Sequence, residues 1–155
     1  MGDDESQLIT PAVEGTLSVL RACNTNRVRR CVITSSCASV LYRERPAGLF
    51  DETHWTDPNF PDISVYAKSK VLAEKAAWDF HASLPESERF ELVTILPGFV
   101  LGPALRLEPS SSTDFCKNAL EGKMTVIPHM NLPIVDVREC AEAHLQAIKT
   151  PGAAN

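Results

Sequence analysis

Apolar residues along this 155-residue chain fall into two kinds of pattern, and their alternation predicts the fold. Over 8–23 they recur at helical spacing, at Ile9, Val13, Leu17 and Leu20, with Leu8, Ala12, Val19 and Cys23 as a second stripe. So wide an apolar surface predicts a helix covered on two sides, by a sheet and by a partner helix. Thr10 is placed to cap this helix and Pro11 to occupy its first position, where a missing N–H costs nothing. Asn24-Thr25-Asn26 ends it. Over 28–35 the pattern changes to a continuous apolar and β-branched run, Cys31-Val32-Ile33-Thr34, as expected of a parallel strand covered on both faces. Residues 37–63 show no period and contain Pro46, Gly48, Pro58 and Pro61, which predicts a long irregular connection. Trp55 and Phe60 would anchor that connection or line a pocket in it. Helical spacing returns over 64–84: Tyr66, Lys70, Ala73, Ala77 and Phe80 lie near one face, and Leu72, Ala76 and Leu84 widen it. A second buried strand over 90–96, centred on Leu92-Val93-Thr94-Ile95-Leu96, stops at Pro97-Gly98.

Strand, helix-bearing connection and strand make a βαβ crossover, so the two strands should pair in parallel through a right-handed connection. The remainder predicts a polar loop over 108–113, a short helix over 114–122, a short strand at Thr125-Val126-Ile127 and an apolar segment at Leu132-Pro133-Ile134-Val135. Asp136 with Glu139 three residues on forms a capping-box pattern. It opens a helix with apolar positions Val137, Ala141, Leu145 and Ile148, ended by Thr150-Pro151-Gly152. The expectation is an α/β fold in a single domain over 1–155, with a parallel sheet.

Composition narrows the class. The chain is 44% apolar and 23% charged, as in ordinary soluble globular proteins. A net charge of −5 weighs against nucleic acid or an anionic membrane as the main partner. The one basic cluster, Arg21, Arg27, Arg29 and Arg30, falls between helix and strand and reads as a solvated turn. Five scattered cysteines without a C-x-x-C pair, and four histidines without ligand spacing, read as free thiols in a reducing compartment with no metal site. No apolar run reaches spanning length, and the acidic start Met1-Gly2-Asp3-Asp4-Glu5 is not a signal peptide; a cytoplasmic location is expected.

Candidate chemistry sits at Tyr66-Ala67-Lys68-Ser69-Lys70. Residues i and i+4 share a helix face, so an ammonium stands beside a phenol and favours its ionised form, drawing the pKa from ~10 toward the range of a working acid or base. The competing reading is a half-buried tyrosine beside a solvated lysine. Ser35-Ser36 closes the first strand where open α/β sheets place their ligands, or else is a serine turn that only ends a strand.

In order along the chain, five segments resemble motifs of the extended short-chain dehydrogenase/reductases, in the dihydroflavonol-reductase and cinnamoyl-CoA-reductase-like branch of the NAD-dependent epimerase/dehydratase superfamily. Pro11-Ala12-Val13-Glu14-Gly15-Thr16 resembles the helix before the active-site strand, and Val32-Ile33-Thr34-Ser35-Ser36 that strand. Tyr66-Ala67-Lys68-Ser69-Lys70 resembles the Y-x-x-x-K motif. Leu96-Pro97-Gly98-Phe99-Val100-Leu101-Gly102-Pro103 resembles the segment around the nicotinamide. Ile134 to His144 resembles a downstream V-D-V-x-D-x-A-x-A-H pattern.

The resemblance implies a partial doubly wound, Rossmann-like parallel sheet, with 104–135 beginning a substrate-binding region. It implies NADP or NAD as cofactor, with NADP favoured, and a small carbonyl or alcohol substrate. Tyr66 would protonate the carbonyl oxygen as nicotinamide delivers hydride to its carbon. Lys70 would lower the tyrosine pKa and bond the nicotinamide ribose, and Ser36 would hold the carbonyl, with Ser35 and Ser39 as alternatives. Thr34, Ser35, Pro97, Val100 and Gly102, with Tyr66 and Lys70, would contact the cofactor, and the connection over 37–63 would form part of the substrate pocket.

One departure is large. The seven glycines are dispersed, and no glycine-rich turn is present to hold a pyrophosphate. The expectation is a fragment or short isoform with poor cofactor affinity, an unpaired strand edge and exposed apolar helix faces. Two other readings compete with the reductase. One is an inactive dimerisation module pairing through helices 8–23 and 64–84; the other is a sugar-nucleotide epimerase or dehydratase that shares the tyrosine and lysine.

Overall fold

The structure, a computed structural model, describes residues 5–44, 49–105, 111–126 and 132–154. Helix α1 spans Glu5–Thr25 and strand β1 Arg30–Thr34. A single helical turn, α2 (Ala38–Leu41), precedes helix α3 (Val65–Ser83), which returns the chain to strand β2 (Glu91–Ile95). Strand β3 (Phe99–Leu101), helix α4 (Ser111–Leu120), strand β4 (Ile134–Asp136) and helix α5 (Val137–Lys149) follow.

The βαβ expectation holds. β1 and β2 pair in parallel, from Arg30 opposite Glu91 to Thr34 opposite Ile95. The ladder continues past the strands through Ser35 N–H to Ile95 O at 2.8 Å and Cys37 N–H to Pro97 O at 3.0 Å. A second parallel pair joins β3 to β4, Val100 opposite Val135. Among the described residues each strand has one partner, so both β1 and β2 keep an unpaired edge.

Side chains alternate across β1 and sort its neighbours. Cys31 and Ile33 pack on the core of Leu20 from α1, Ala77 from α3, and Leu84, Phe90 and Leu92. Arg30 and Thr34 point the other way, to α5. The sheet therefore lies between the α1–α3 pair and α5. Ala67, Val71 and Ala77 of α3 are essentially inaccessible, and their small size lets α1 pack closely. Ser64 caps α3, its hydroxyl accepting from Ala67 N–H at 3.1 Å.

Several local expectations are corrected. α1 begins at Glu5, so Thr10 is not its cap and Pro11 lies inside it. The extra turn is held by Glu5, whose carboxylate suits the positive end of the helix and meets Lys68 Nζ of α3 at 2.8 Å. Within the chain Leu20 of α1 is buried, whereas Leu8 and Val19 are exposed. Its C-terminus closes as a Schellman motif, with Val28 N–H to Cys23 O and Arg27 N–H to Asn24 O; Arg27 takes the left-handed position at φ 53°. The basic cluster is not wholly solvated, because the Arg30 side chain is 5% exposed. α4 starts at Ser111 instead of Asp114. Thr125 and Val126 form a bend and no strand, and Ile127 lies outside the described residues. Asp136 does cap α5, but it accepts from Arg138 N–H and pairs with the Arg138 guanidinium, so Glu139 does not complete a capping box.

Candidate active site

The end of β1 and the first turns of α3 carry the candidate residues. Tyr66 stands in the first turn of α3 and is 53% exposed. Lys70 follows one turn later, its ammonium 5.7 Å from the centre of the Tyr66 ring. The i, i+4 spacing thus produces the expected contact, made to the face of the ring. No described residue hydrogen-bonds the Tyr66 phenol, so its hydroxyl is open to a ligand.

The serines divide sharply. Ser35 and Ser39 are buried and face α3: Ser35 Oγ lies 3.1 Å from Ser39 Oγ and donates to the Glu74 carboxylate. A hydroxyl has one proton. The Ser35 proton goes to Glu74, so Ser39 is the donor in its bond to Ser35. Ser36 is arranged differently: its oxygen accepts Ala38 N–H at 3.2 Å, and its hydroxyl lies against the neighbouring Cys37 side chain, which it hydrogen-bonds, and not against Glu74. Ser36 is therefore the serine outside the Glu74 network, its hydroxyl engaged only by a weakly accepting thiol.

Thr34 projects to the opposite face. His144 Nδ1 lies 2.7 Å from Cys140 O, and a carbonyl can only accept, so Nδ1 carries the proton; Nε2 then accepts from the Thr34 hydroxyl at 2.7 Å. The histidine of the downstream motif thus fastens α5 to β1. Pro97 O closes the ladder with Cys37, and Val100 sits within the β3–β4 pair. Gly102 has φ +139°, and a Cβ there would stand 2.9 Å from Val137 Cγ1. At Gly98 the close approach is made by the chain itself: a Cβ would lie 2.1 Å from Pro133 O, the carbonyl that accepts Phe99 N–H.

Two hollows flank these residues. A small one of about 120 Å³ lies between α1, β1 and α3, lined by Thr16, Thr34, Ser35, Lys70 and Glu74 among others. A larger one of about 700 Å³ is lined by Phe50, His54, Trp55 and Trp78 and by β2 from Leu92. Trp55 therefore both faces a cavity and anchors its loop, with Lys75 Nζ 5.6 Å from its ring centre. Thr56 fixes the same loop, donating to Ala38 O at 2.6 Å and accepting Tyr42 N–H at 3.0 Å. Asp51, bonded by Thr53 and His54, has its carboxyl held below the usual range, first by the Thr53 hydroxyl.

Residues 2–155 match the model of the NAD dependent epimerase/dehydratase family. The chain belongs to that family. Cinnamoyl-CoA reductase CAD2 of Medicago truncatula is 36% identical over an alignment of 157 residues that covers 97% of this chain and 47% of the relative. Among solved structures, yeast methylglyoxal/isovaleraldehyde reductase Gre2 complexed with NADPH superposes with a TM-score of 0.84 at 29% identity. That match takes in all of this chain and 50% of Gre2. Gre2 from Candida albicans, also in complex with NADPH, is 32% identical with a TM-score of 0.76 over 50% of its chain. The chain spans about half the length of these family members, and the superpositions establish the Rossmann-like fold.

Glu74, His144 and Arg30 are the site-supporting residues that sequence reasoning did not assign. A signal for Glu74 was present: a carboxylate one turn after Lys70, flanked by Ala73, Ala76 and Ala77 on a face otherwise destined for burial.

Proposed function

We propose that this chain carries the proton-handling half of an NAD(P)H-dependent carbonyl reductase or alcohol dehydrogenase acting on a small ketone, aldehyde or alcohol. The observation that carries the reading is a division of labour at the end of β1. Tyr66 presents an unengaged phenol under the Lys70 ammonium, while Ser36 alone of the three serines lies outside the Glu74 network, held only by the weakly accepting Cys37 thiol. Reduction of a carbonyl turns its oxygen into an alkoxide. The chain answers with a hydroxyl donor that stays in place, Ser36, and an acid that gives up its proton, Tyr66. Lys70 stabilises the phenolate left behind, and the exposure of Tyr66 lets it be reprotonated from solvent.

A bound nicotinamide cofactor would supply the hydride. The residues present fit its reactive end, where Lys70 borders the small cavity between α1 and β1. They do not include a glycine-rich turn for its pyrophosphate. NADPH is favoured by its presence in both Gre2 relatives. The 155-residue chain alone is expected to bind it weakly, and micromolar affinity by isothermal titration would contradict that expectation. The reading itself is tested by following NADPH oxidation with a panel of aldehydes and ketones. Tyr66→Phe is expected to lower turnover by about 10²–10⁴-fold; undiminished turnover would remove Tyr66 as the acid.

A second reading, pairing of two copies through α1 and α3, is favoured by the exposure of Leu8 and Val19 on α1. Light scattering tests it, with Val19→Glu expected to shift any dimer to monomer.

A further inference from the structure

Glu74 is the one buried carboxylate among the described residues, 5% exposed, and no described cation pairs with it. A buried carboxylate is costly unless hydrogen bonds compensate, and an apolar residue would fill this place in α3 at no such cost. Its spacing is informative. Glu74 follows Lys70 by four residues and Tyr66 by eight, so all three lie along one stripe of α3. At the far end of that stripe it grips Ser35, the residue immediately before Ser36, and it shares the small cavity with Lys70.

We propose that Glu74 is a positioning residue that sets Ser36 against Tyr66 and Lys70. By taking the Ser35 proton, and through Ser35 orienting Ser39, it removes the two competing hydroxyls from the site. It also fixes the end of β1 to the helix that carries the acid. The turn bearing Ser36 is then held at both sides: by the ladder bonds of Ser35 N–H and Cys37 N–H to β2, and by Glu74 from α3. This inference rests on the reductase reading for its consequence in turnover, but not for its geometry.

The test uses the 155-residue chain with Glu74→Leu, which fills the space without an acceptor, and Glu74→Gln, whose amide oxygen can still accept from Ser35. Amide hydrogen exchange at Ser35 and Cys37 is expected to quicken about tenfold or more in Glu74→Leu and to stay near the parent rate in Glu74→Gln. With saturating NADPH and a reducible carbonyl, Glu74→Leu should lower kcat by about 10–10²-fold, with KM for NADPH within about twofold. Glu74→Gln should recover most of that loss. Unchanged exchange in Glu74→Leu, or a Glu74→Gln variant as impaired as Glu74→Leu, would overturn the proposal. Absence of turnover in the parent chain would instead remove the reductase reading, and the exchange comparison would still decide the role of Glu74.

Discussion

Replacing Arg30 by Met should loosen α5 and destabilise the fold, although Arg30 lies in a stretch where arginines look interchangeable. Its Nη1 donates to Ala147 O, Ile148 O and Thr150 O at 2.7, 2.8 and 2.9 Å, two carbonyls of the last turn of α5 and one of the turn that follows it. Nε meets Glu91 Oε2 at 2.6 Å, while Nη2 is buried with no described partner. Nη1 has two protons for three acceptors, so at most two full bonds count. Charge-assisted bonds contribute about 1.5–3 kcal/mol each, roughly 3–6 for two, and the unmet Nη2 takes back about 1–3. The cation also suits the negative end of α5. Methionine keeps the apolar stem and removes the rest, for a net loss of about 2.5 kcal/mol at the midpoints of those ranges. In a domain of this size that lowers Tm by roughly 4–12 °C. Urea unfolding measures the loss, and amide exchange at Ile148 to Thr150 locates it. Arg29→Met is the control: its exposed side chain should change stability by less than about 0.5 kcal/mol. If Arg30→Met proved as mild as Arg29→Met, the attribution of α5 docking to this guanidinium would be wrong.

Three further outcomes are expected. Gly98→Ala drives a methyl group into Pro133 O and should cost at least about 2 kcal/mol, with lost protection of the Phe99 amide; a neutral outcome would refute the backbone contact. The Asp136 carboxyl is pushed down to about 2, first by its bond to the Arg138 side chain. A depressed carboxylate stabilises the fold fully above its ordinary pKa of about 4, and that contribution is lost as pH falls from there through about 2. Asp136→Asn should therefore flatten the acid limb of a stability–pH curve, and an unchanged limb would exclude the cap as its source. Burial, then the neighbouring Cys23, push the Cys31 thiol up to about 11. At pH 7.5 Cys31 should resist iodoacetamide in mass-spectrometric mapping, and rapid labelling would contradict its placement against the core.

What was legible in the sequence was what local pattern dictates. The run Cys31 to Thr34 and the run Leu92 to Ile95 could hardly be other than buried strands, and the helical spacing between them fixed their parallel pairing. Asp136 was recognisable as a cap because a cap needs only a side-chain oxygen and the next turn. The start of α1 was misplaced because Pro11 is a strong local signal, and it was overridden by a contact of Glu5 with Lys68, 63 residues away. Arg27 offered no sign of a left-handed backbone, which usually falls to glycine or asparagine. The candidate site divides in the same way. Tyr66 and Lys70 are a local pair and could be read directly. The choice among Ser35, Ser36 and Ser39 could not, since it depends on Glu74, 39 residues beyond Ser35.

The parallel pairing of β1 with β2 also sets a timetable for folding. Arg30 and its partner Glu91 are separated by 61 residues, and closing a flexible loop of that length costs about 3.6 kcal/mol before any ladder bond forms. On a ribosome adding about 5–20 residues per second, β1 waits roughly 3–12 s for Glu91 to be made. Within that interval α3 can coil in microseconds and shorten the loop to be closed. Until then Cys31, Val32 and Ile33 form a sticky apolar segment that a chaperone would have to shield.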